Sequence, residues 1–277
     1  MIKVAIQGIK GCFHEMAARK YFDSEIEVVE SHTFKDLCFT LKSGGSDLAI
    51  MAIENTLAGS LLPNYALIER FGFTILGEVY LPIRMNLLGL NGATVAGLKK
   101  VYSHPVALAQ CEEYLERFPH ITVIEYHDTA AAARWVQEEG NLAFAAISNE
   151  LSAEIYGLDI LQAGIETHKQ NFTRFLIVGR EEVEIENANK ASLSLRLAHE
   201  PGALADVLTI FKNNKNNLTK IQSIPIIGMP YQYAFKIDVT WNDRESFDRS
   251  LTEIRQLGNE CRVVGCYVDR SEFSSGA

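Results

Sequence analysis

The chain has 277 residues, enough for two domains with hydrophobic cores, and its content of 47% hydrophobic and 22% charged residues excludes a mainly disordered protein. Its 26 Lys and Arg against 35 Asp and Glu give a formal net charge of −9, which excludes an electrostatic nucleic-acid binder. The apolar run Leu48–Ile53 is far shorter than the roughly 18 residues of a membrane span, and the start Met1–Gln7 lacks signal-peptide features. Five scattered cysteines without a C-x-x-C pair indicate reduced thiols. We therefore expect a soluble cytoplasmic protein without a membrane partner.

Up to about residue 180, short apolar strand patterns alternate with helical patterns, which is typical of an α/β domain with a largely parallel sheet. In one helix the apolar residues between Leu108 and Phe118 recur at helical spacing and form a single face. The predicted helices are Phe13–Phe22, Thr33–Leu41, Pro105–Phe118 and Thr129–Glu138. The predicted strands are Lys3–Gln7, Glu27–Glu30, Leu48–Glu54, Thr74–Leu81, Ile121–Glu125, Leu142–Ala146 and Phe175–Val178.

The segment 181–190 carries four glutamates without sustained periodicity and is predicted to be a linker. Beyond it, strand and helix patterns follow in the order βαββαβ within about 80 residues, which is the ferredoxin-like order. The strongest strand signal is the unbroken alternation from Tyr231 to Trp241, preceded by a predicted turn at 228–230. We therefore predict an α/β domain over 1–180, a linker over 181–190 and a ferredoxin-like domain over 191–270.

Several common site motifs are missing from the sequence. The turn Gly8–Gly11 matches neither nucleotide-binding glycine motif, so it is either a turn that approaches an anionic ligand or a plain turn. The seven histidines occur in no H-x-x-x-H or H-E-x-x-H array, so no metal is predicted. No G-x-S-x-G elbow indicates a serine hydrolase.

Three polar stretches are candidate ligand sites. Glu54-Asn55-Thr56 follows a buried strand, where α/β folds bind ligands, although it equally fits a helix cap. Asp128-Thr129 has the signature of a helix N-cap, which is its favoured interpretation. Asn171–Phe175 places amide, hydroxyl and guanidinium groups between aromatic residues, and this fits either a ligand site or a strand end with a surface arginine.

Taken together in chain order, these motifs resemble those of the prephenate dehydratases that carry a C-terminal ACT domain. The matching blocks are Gly8–Gly11 with Phe13, Glu54–Thr56 with Gly59, Ser103–Pro105 with Gln110, Asp128-Thr129, Asn171–Phe175 and Glu200–Leu204. The family's Thr-Arg-Phe motif is intact at Thr173–Phe175. The chain departs from the family pattern at Thr56, at Asp128, at Asn86, where the family usually has a histidine, and at Gln222–Pro225, where it usually has Glu-Ser-Arg-Pro.

The resemblance implies a two-lobed, periplasmic-binding-protein-like catalytic domain with the site between its lobes, followed by a ferredoxin-like ACT domain. It implies the decarboxylating dehydration of prephenate to phenylpyruvate, without a cofactor, and feedback by L-phenylalanine. No chorismate mutase segment precedes the first strand, so we expect a monofunctional enzyme.

The resemblance also implies roles for individual residues. Thr173 would assist the departure of the ring hydroxyl by hydrogen bonding, and Arg174 would hold a carboxylate, with a preference for the pyruvyl group. Further expected substrate-binding residues are Asn55, Thr56, Glu54, Thr129, Asn171, Ser103 and Phe175. The expected effector residues are Glu200, Pro201, Gly202, Ala203, Leu204 and Leu218.

Two other functions remain open from the sequence. One is arogenate dehydratase, which performs the same chemistry on a substrate with an amino group in the side chain. The other is a non-catalytic amino-acid sensor, against which the intact Thr173–Phe175 motif argues. The ACT resemblance further predicts a homodimer or homotetramer.

Overall fold

The computed structural model describes residues 1–22, 24–198, 200–225 and 233–270, and every structural statement below concerns these residues. The strands are β1 Ile2–Gln7, β2 Ile26–Ser31, β3 Leu48–Asn55, β4 Gly59–Ser60, β5 Thr74–Pro82, β6 Asn86–Gly89, β7 Lys100–Ser103, β8 Thr122–Glu125, β9 Phe144–Ser148, β10 Asp159–Gln162, β11 Phe172–Gly179, β12 Lys190–Arg196, β13 Asn217–Pro225, β14 Tyr233–Thr240 and β15 Glu260–Tyr267. The helices are α1 Phe13–Tyr21, α2 Phe34–Lys42, α3 Leu62–Phe71, α4 Pro105–Gln110, α5 Glu112–Leu115, α6 Thr129–Glu139, α7 Glu150–Tyr156, α8 Ala203–Asn213 and α9 Arg244–Gln256, with a 3₁₀ turn at Val95–Gly97.

The chain forms two compact units that do not follow sequence order. The first unit comprises 1–64 and 79–175, and the second comprises 65–78 together with the chain from Leu176 onwards. All but the first three residues of α3, and the first half of β5, therefore belong to the same unit as the C-terminal sheet. The domain boundaries at 180 and 190 stay a prediction, although irregular structure does separate the end of β11 from the start of β12.

The N-terminal sheet has the strand order β2-β1-β3-β11-β5, with β4 paired to β3. β1 runs parallel to both β2 and β3, and α1 and α2 pack on these strands. The apolar runs Val4–Ile6 and Ala49–Ile53 are buried throughout, as expected for strands covered on both faces. This layered arrangement confirms the α/β prediction for the first part of the chain.

A second sheet, in the order β10-β6-β9-β7-β8, makes the other lobe of the first unit. β7 is parallel to β8 and β9, whereas β6 is antiparallel to β9 and β10. Four alanines of α6, Ala130–Ala133, are buried, and α6 packs on β9. Small side chains let this helix approach the sheet closely. The first unit is thus two-lobed, as predicted.

One predicted helix is interrupted. The apolar spacing predicts a continuous helix over Pro105–Phe118, but the structure divides it at Cys111 into α4 and α5. The carbonyl of Gln110 accepts a hydrogen bond from the N–H of Thr167, 2.8 Å away. Because this carbonyl bonds to a distant segment, the helical ladder is broken there despite the intact apolar pattern.

The C-terminal part confirms the βαββαβ order, with a four-stranded antiparallel sheet in the order β13-β14-β12-β15. Side chains of α8 and α9, including Phe211 and Phe247, cover one face of this sheet and pack against Leu193, Leu195 and Ile237. The predicted turn at 228–230 and the first two residues of the strand predicted from Tyr231 lie outside the described residues.

Part of the other face of this sheet is polar yet buried. Along β12, Lys190 and Ser192 alternate with apolar core residues. Lys190 Nζ lies 2.8 Å from a carboxylate oxygen of Glu78, and Lys236 forms an ion pair with Glu69. Buried cations require such partners, since an unpaired charge is costly to desolvate. These pairs join the sheet to the segment 65–78.

Candidate active site

A cleft of about 330 Å³ lies in the first unit. Its walls come from the starts of α1 and α6, the end of α4, the loop after β3 and the start of β11. Parallel strands place their carboxyl ends at one edge, where such folds bind ligands. Its polar lining side chains include His14, Asn55, Gln110, Asp128, Thr129 and Thr173.

The turn between β1 and α1 forms one border of the cleft. Gly8 and Gly11 have φ angles of +106° and +86°, which side chains rarely adopt. The N–H of Gly11 donates to the Glu15 carboxylate at 2.6 Å, and Arg19 binds the other carboxylate oxygen. The segment is therefore a tight turn next to the cleft-lining residues Gln7 and Cys12, and its approach to an anionic ligand stays a prediction.

Helix α7 of the second lobe holds this turn in place. Asn149 Nδ2 and Ser152 Oγ donate to the carbonyl of Gly11 at 2.8 and 2.9 Å, and the Tyr156 hydroxyl donates to the carbonyl of Lys10 at 2.6 Å. Asn149 is the N-cap of α7, and Ser152 and Tyr156, spaced by 4, share one face of the helix. The two lobes of the first unit are therefore joined by hydrogen bonds at the cleft border.

Asn55 is the centre of a hydrogen-bond network. Its Oδ1 accepts the N–H groups of Leu57 and Ala58, both at 2.9 Å, which fixes the loop after β3. Its Nδ2 donates to Asn171 Oδ1 at 2.7 Å and to Thr173 Oγ1 at 2.9 Å. An amide offers two donor protons and one acceptor oxygen, so Asn55 uses both ends of its side chain.

This network orients the hydroxyl of Thr173. Because Oγ1 accepts the bond from Asn55, its own proton remains available to a different acceptor. The side chain is 8% exposed and lines the cleft. Asn171 extends the network, since its Nδ2 donates to Gln110 Oε1 at 3.2 Å and Gln110 also lines the cleft.

Of the predicted site residues, Asn55, Thr129, Thr173 and Phe175 line the cleft. Five others are not among its lining residues, and one of these, Asn171, contacts the cleft only through its bonds to Asn55 and Gln110. Ser103 is fully buried and donates to the carbonyl of Ile147 at 2.6 Å, and Thr56 is bonded to the backbone of Gln170 and Phe172. Glu54 lies where β3 pairs with β4 and is not among the cleft-lining residues.

Arg174 also lies away from the cleft. Neighbouring residues of a strand face opposite sides, so Arg174 faces away from Thr173 and Phe175. It is 4% exposed, and its guanidinium carbon lies 5.9 Å from the centre of the Tyr80 ring. A role for Arg174 in binding a carboxylate stays a prediction.

His14 is a cleft residue for which the sequence gave no motif. It is buried in the first turn of α1, and burial lowers the pKa of its imidazole from 6.5 to about 3. The folded protein therefore keeps this ring neutral throughout the physiological pH range.

This burial predicts a loss of stability on mild acidification. Between pH 6.5 and 3 the unfolded chain protonates this histidine and the folded chain does not, so stability falls as pH decreases through that window. At pH 5 we expect a loss of about 2 kcal/mol relative to pH 7 from this residue. Denaturant unfolding at both pH values measures it. His14→Phe should remove most of the difference; an unchanged difference in the variant would contradict the assignment.

The predicted effector residues surround the start of α8 in the second unit. Gly202 precedes α8 with a φ of +89°, and Ala203 and Leu204 begin the helix. Glu200 and Pro201 are exposed, and Leu218 lies half-buried on β13. Their role in binding an effector stays a prediction.

Within the described ranges, no cluster of three or more His, Cys, Asp or Glu side chains is suited to hold a metal ion. Every helix in those ranges is too short or too polar to span a membrane.

The fold and the cleft define a class: a two-lobed α/β protein with a small polar cleft, in a chain that also carries a βαββαβ unit. The family model described as prephenate dehydratase matches residues 4–183. The bifunctional chorismate mutase/prephenate dehydratase of Enterobacter agglomerans is 34% identical over 273 residues, which cover 96% of this chain and 70% of the relative. The chain belongs to the prephenate dehydratase family.

Other similar proteins carry related descriptions. Arogenate dehydratase/prephenate dehydratase 2 of Arabidopsis thaliana is 34% identical, covering 96% of this chain and 72% of the relative. A solved structure of prephenate dehydratase in complex with L-Phe, from Arthrobacter aurescens, has a TM-score of 0.84 at 25% identity, covering 97% of this chain and 90% of that one. A structure described as GqqA, a quorum quenching acylase, has a TM-score of 0.87 at 28% identity, covering 97% and 98%.

Proposed function

We propose that this protein converts prephenate to phenylpyruvate, carbon dioxide and water, with L-phenylalanine as its effector. The observation that carries the proposal is the Asn55–Thr173 hydrogen bond, which leaves a hydroxyl proton available in the cleft of a chain from this family. Dehydration needs a donor at the departing hydroxyl of the substrate.

The reaction proceeds without a redox partner. The bond between the ring and its carboxylate breaks, and its electron pair enters the ring as the bond to the hydroxyl group at the opposite end breaks. Carbon dioxide leaves, the ring becomes aromatic, and the departing hydroxide takes up one proton to give water. Thr173 donates a hydrogen bond to the departing oxygen as negative charge develops there. An unperturbed hydroxyl is a weak acid, so the proton that forms water comes ultimately from solvent.

The neutral donors of the cleft suit the loss of a carboxylate. Gln110, Thr129 and Thr173 are uncharged, so they bind a carboxylate less tightly than a guanidinium does. A strong ion pair to the departing carboxylate would stabilise the substrate more than the transition state and would slow the reaction. In this proposal Asn55 and Asn171 are positioning residues for Thr173 and Gln110.

Incubation of the purified protein with prephenate, followed by detection of phenylpyruvate, tests the proposal. Turnover supports it and excludes a non-catalytic sensor. A parallel reaction with arogenate establishes the substrate preference, and we expect the prephenate reaction to be faster. Absence of turnover with both substrates would overturn the proposal.

Cys12 is not suited to serve as a nucleophile for acyl transfer. Cys12 lines it, but burial raises the pKa of this thiol to about 12, and the thiol donates to the carbonyl of Gln7. The thiolate is the nucleophilic form of cysteine. This cysteine therefore stays protonated at neutral pH, which argues against Cys12 as the nucleophile of an acylase reaction.

The effector proposal leads to a binding prediction. A valine at position 202 cannot easily adopt the φ of +89° that begins α8, so Gly202→Val should weaken phenylalanine binding at least tenfold. Gly258→Val is a matched control, because Gly258 has a φ of +78° and open space around it at the end of α9. Calorimetry should show wild-type affinity for the control. Absence of heat with the wild type, or equal affinity in Gly202→Val, would contradict the assignment.

The assembly and location of the protein also belong to this proposal. We propose a homodimer or homotetramer, because β13 and β15 end the C-terminal sheet among the described strands and offer edges for pairing. Sedimentation that shows monomer alone at micromolar concentration would contradict it. A cytoplasmic location is proposed as well, and fractionation of the source cells tests it.

A further inference from the structure

The imidazole of His14 lies on the same wall of the cleft as Thr173. Its ring packs edge-on against Phe175, with centroids 5.0 Å apart and an angle of 84°, and against Phe34 at 5.4 Å. Thr173 and Phe175 are two positions apart on β11 and share a face. Phe175, which His14 contacts, therefore stands about 7 Å along the strand from Thr173.

The hydrogen bonds of His14 determine which nitrogen carries the proton. Nε2 accepts the N–H of Ala52 at 3.4 Å, so in the neutral ring the proton is on Nδ1. Among the described residues no partner is found for Nδ1, and His14 lines the cleft. The side chain thus presents an uncharged N–H donor whose ring is fixed by two aromatic contacts and one backbone bond.

The proposed substrate has a group that suits this donor. In prephenate the hydroxyl and the ring carboxylate are attached at opposite ends of a six-membered ring, so their protein donors must stand apart. Thr173 is assigned to the hydroxyl end of the substrate ring. His14 lies on the same wall of the cleft, beside Phe175. A neutral donor can orient the carboxylate without the strong charge pairing that would oppose its loss.

We propose that His14 is a substrate-binding residue that donates from Nδ1 to the ring carboxylate of prephenate, the one that leaves as carbon dioxide. This inference rests on the proposed function. Because the carboxylate loses its charge during the reaction, the bond is stronger in the substrate complex than in the transition state. His14 therefore contributes to substrate affinity and specificity more than to kcat.

The test compares three substitutions in the full-length protein. His14→Phe keeps an aromatic ring between Phe34 and Phe175 but removes the donor. His14→Asn places an amide near the position of Nδ1, whereas His14→Gln places it near the position of Nε2. We expect His14→Phe to raise KM for prephenate about tenfold with kcat within twofold of wild type. His14→Asn should recover most of the lost affinity, and His14→Gln should not.

The product supplies the internal control. Phenylpyruvate lacks the ring carboxylate, so its inhibition constant should be the same for wild type and His14→Phe. An equal loss of affinity for substrate and product would instead indicate a general packing defect and would overturn the assignment, as would an unchanged KM in His14→Phe. A fall in kcat at constant KM would place the donor at the departing hydroxyl and equally overturn it. Circular dichroism at pH 7 establishes that each variant is folded.

Failure of this inference is distinguishable from failure of the proposed function. If the wild type turns over prephenate and the His14 variants behave as wild type, only the role of His14 is wrong. If the wild type does not turn over prephenate, the proposed function fails first, and the inference fails with it.

Discussion

Thr173→Ala is expected to lower kcat by about 10²–10³-fold with little change in KM, because the lost donor acts on charge that develops in the transition state. The hydroxyl is oriented by the bond that it accepts from Asn55 at 2.9 Å. Steady-state kinetics with prephenate measure the effect.

Thr173→Ser is the matched control for this prediction. It keeps the hydroxyl and loses only a methyl group, so it should retain much of the wild-type kcat. An alanine variant that turns over prephenate at a rate close to wild type would contradict the assigned role. A serine variant as slow as the alanine variant would show that the methyl contact, rather than the hydroxyl, is what matters.

Gly265→Ala is expected to destabilise the protein by about 3 kcal/mol, the upper range for inserting an extra group into a packed site. A Cβ at this position of β15 would stand 2.0 Å from the carbonyl oxygen of Ile75, and the atoms that it meets are backbone, which cannot rotate away. The denaturant midpoint at pH 7 measures the loss.

Gly97→Ala is the control for the second prediction. Gly97 also has an ordinary φ, and the nearest atom to an added Cβ there is the Thr94 side-chain oxygen at 3.3 Å. We expect its stability to stay within about 0.5 kcal/mol of wild type. If Gly265→Ala were as stable as this control, the result would contradict the close packing of Gly265 against the backbone of Ile75.

The sequence predicted the order of strands and helices well because hydrophobic periodicity depends on neighbours along the chain. The βαββαβ order follows from alternation such as Leu193–Leu195 and was observed. The same reasoning missed the break at Cys111, since the bond between Gln110 and Thr167 joins residues far apart in sequence. Long-range hydrogen bonds leave no periodic signal.

The site was predicted in part, and for a different reason. Thr173 and Asn55 are 118 positions apart, so only the resemblance to a family linked them. The predicted strand began at Phe175, whereas β11 begins at Phe172. Thr173 and Arg174 therefore lay outside the predicted strand, and the alternation that places their side chains on opposite faces was missed. His14 could not be identified, because one histidine after a glycine turn has no distinguishing pattern.

The bonds from α7 to the turn at Lys10 and Gly11 determine when the cleft forms during synthesis. Asn149, Ser152 and Tyr156 are 138, 141 and 146 residues later in the chain than their acceptors. At ribosomal rates of elongation, a nascent chain waits on the order of ten seconds between making the turn and making the helix that holds it. Until then the turn is bonded only to earlier segments, such as Glu30 and Ser31 of β2, so the enzyme matures late, after most of its first unit has left the ribosome.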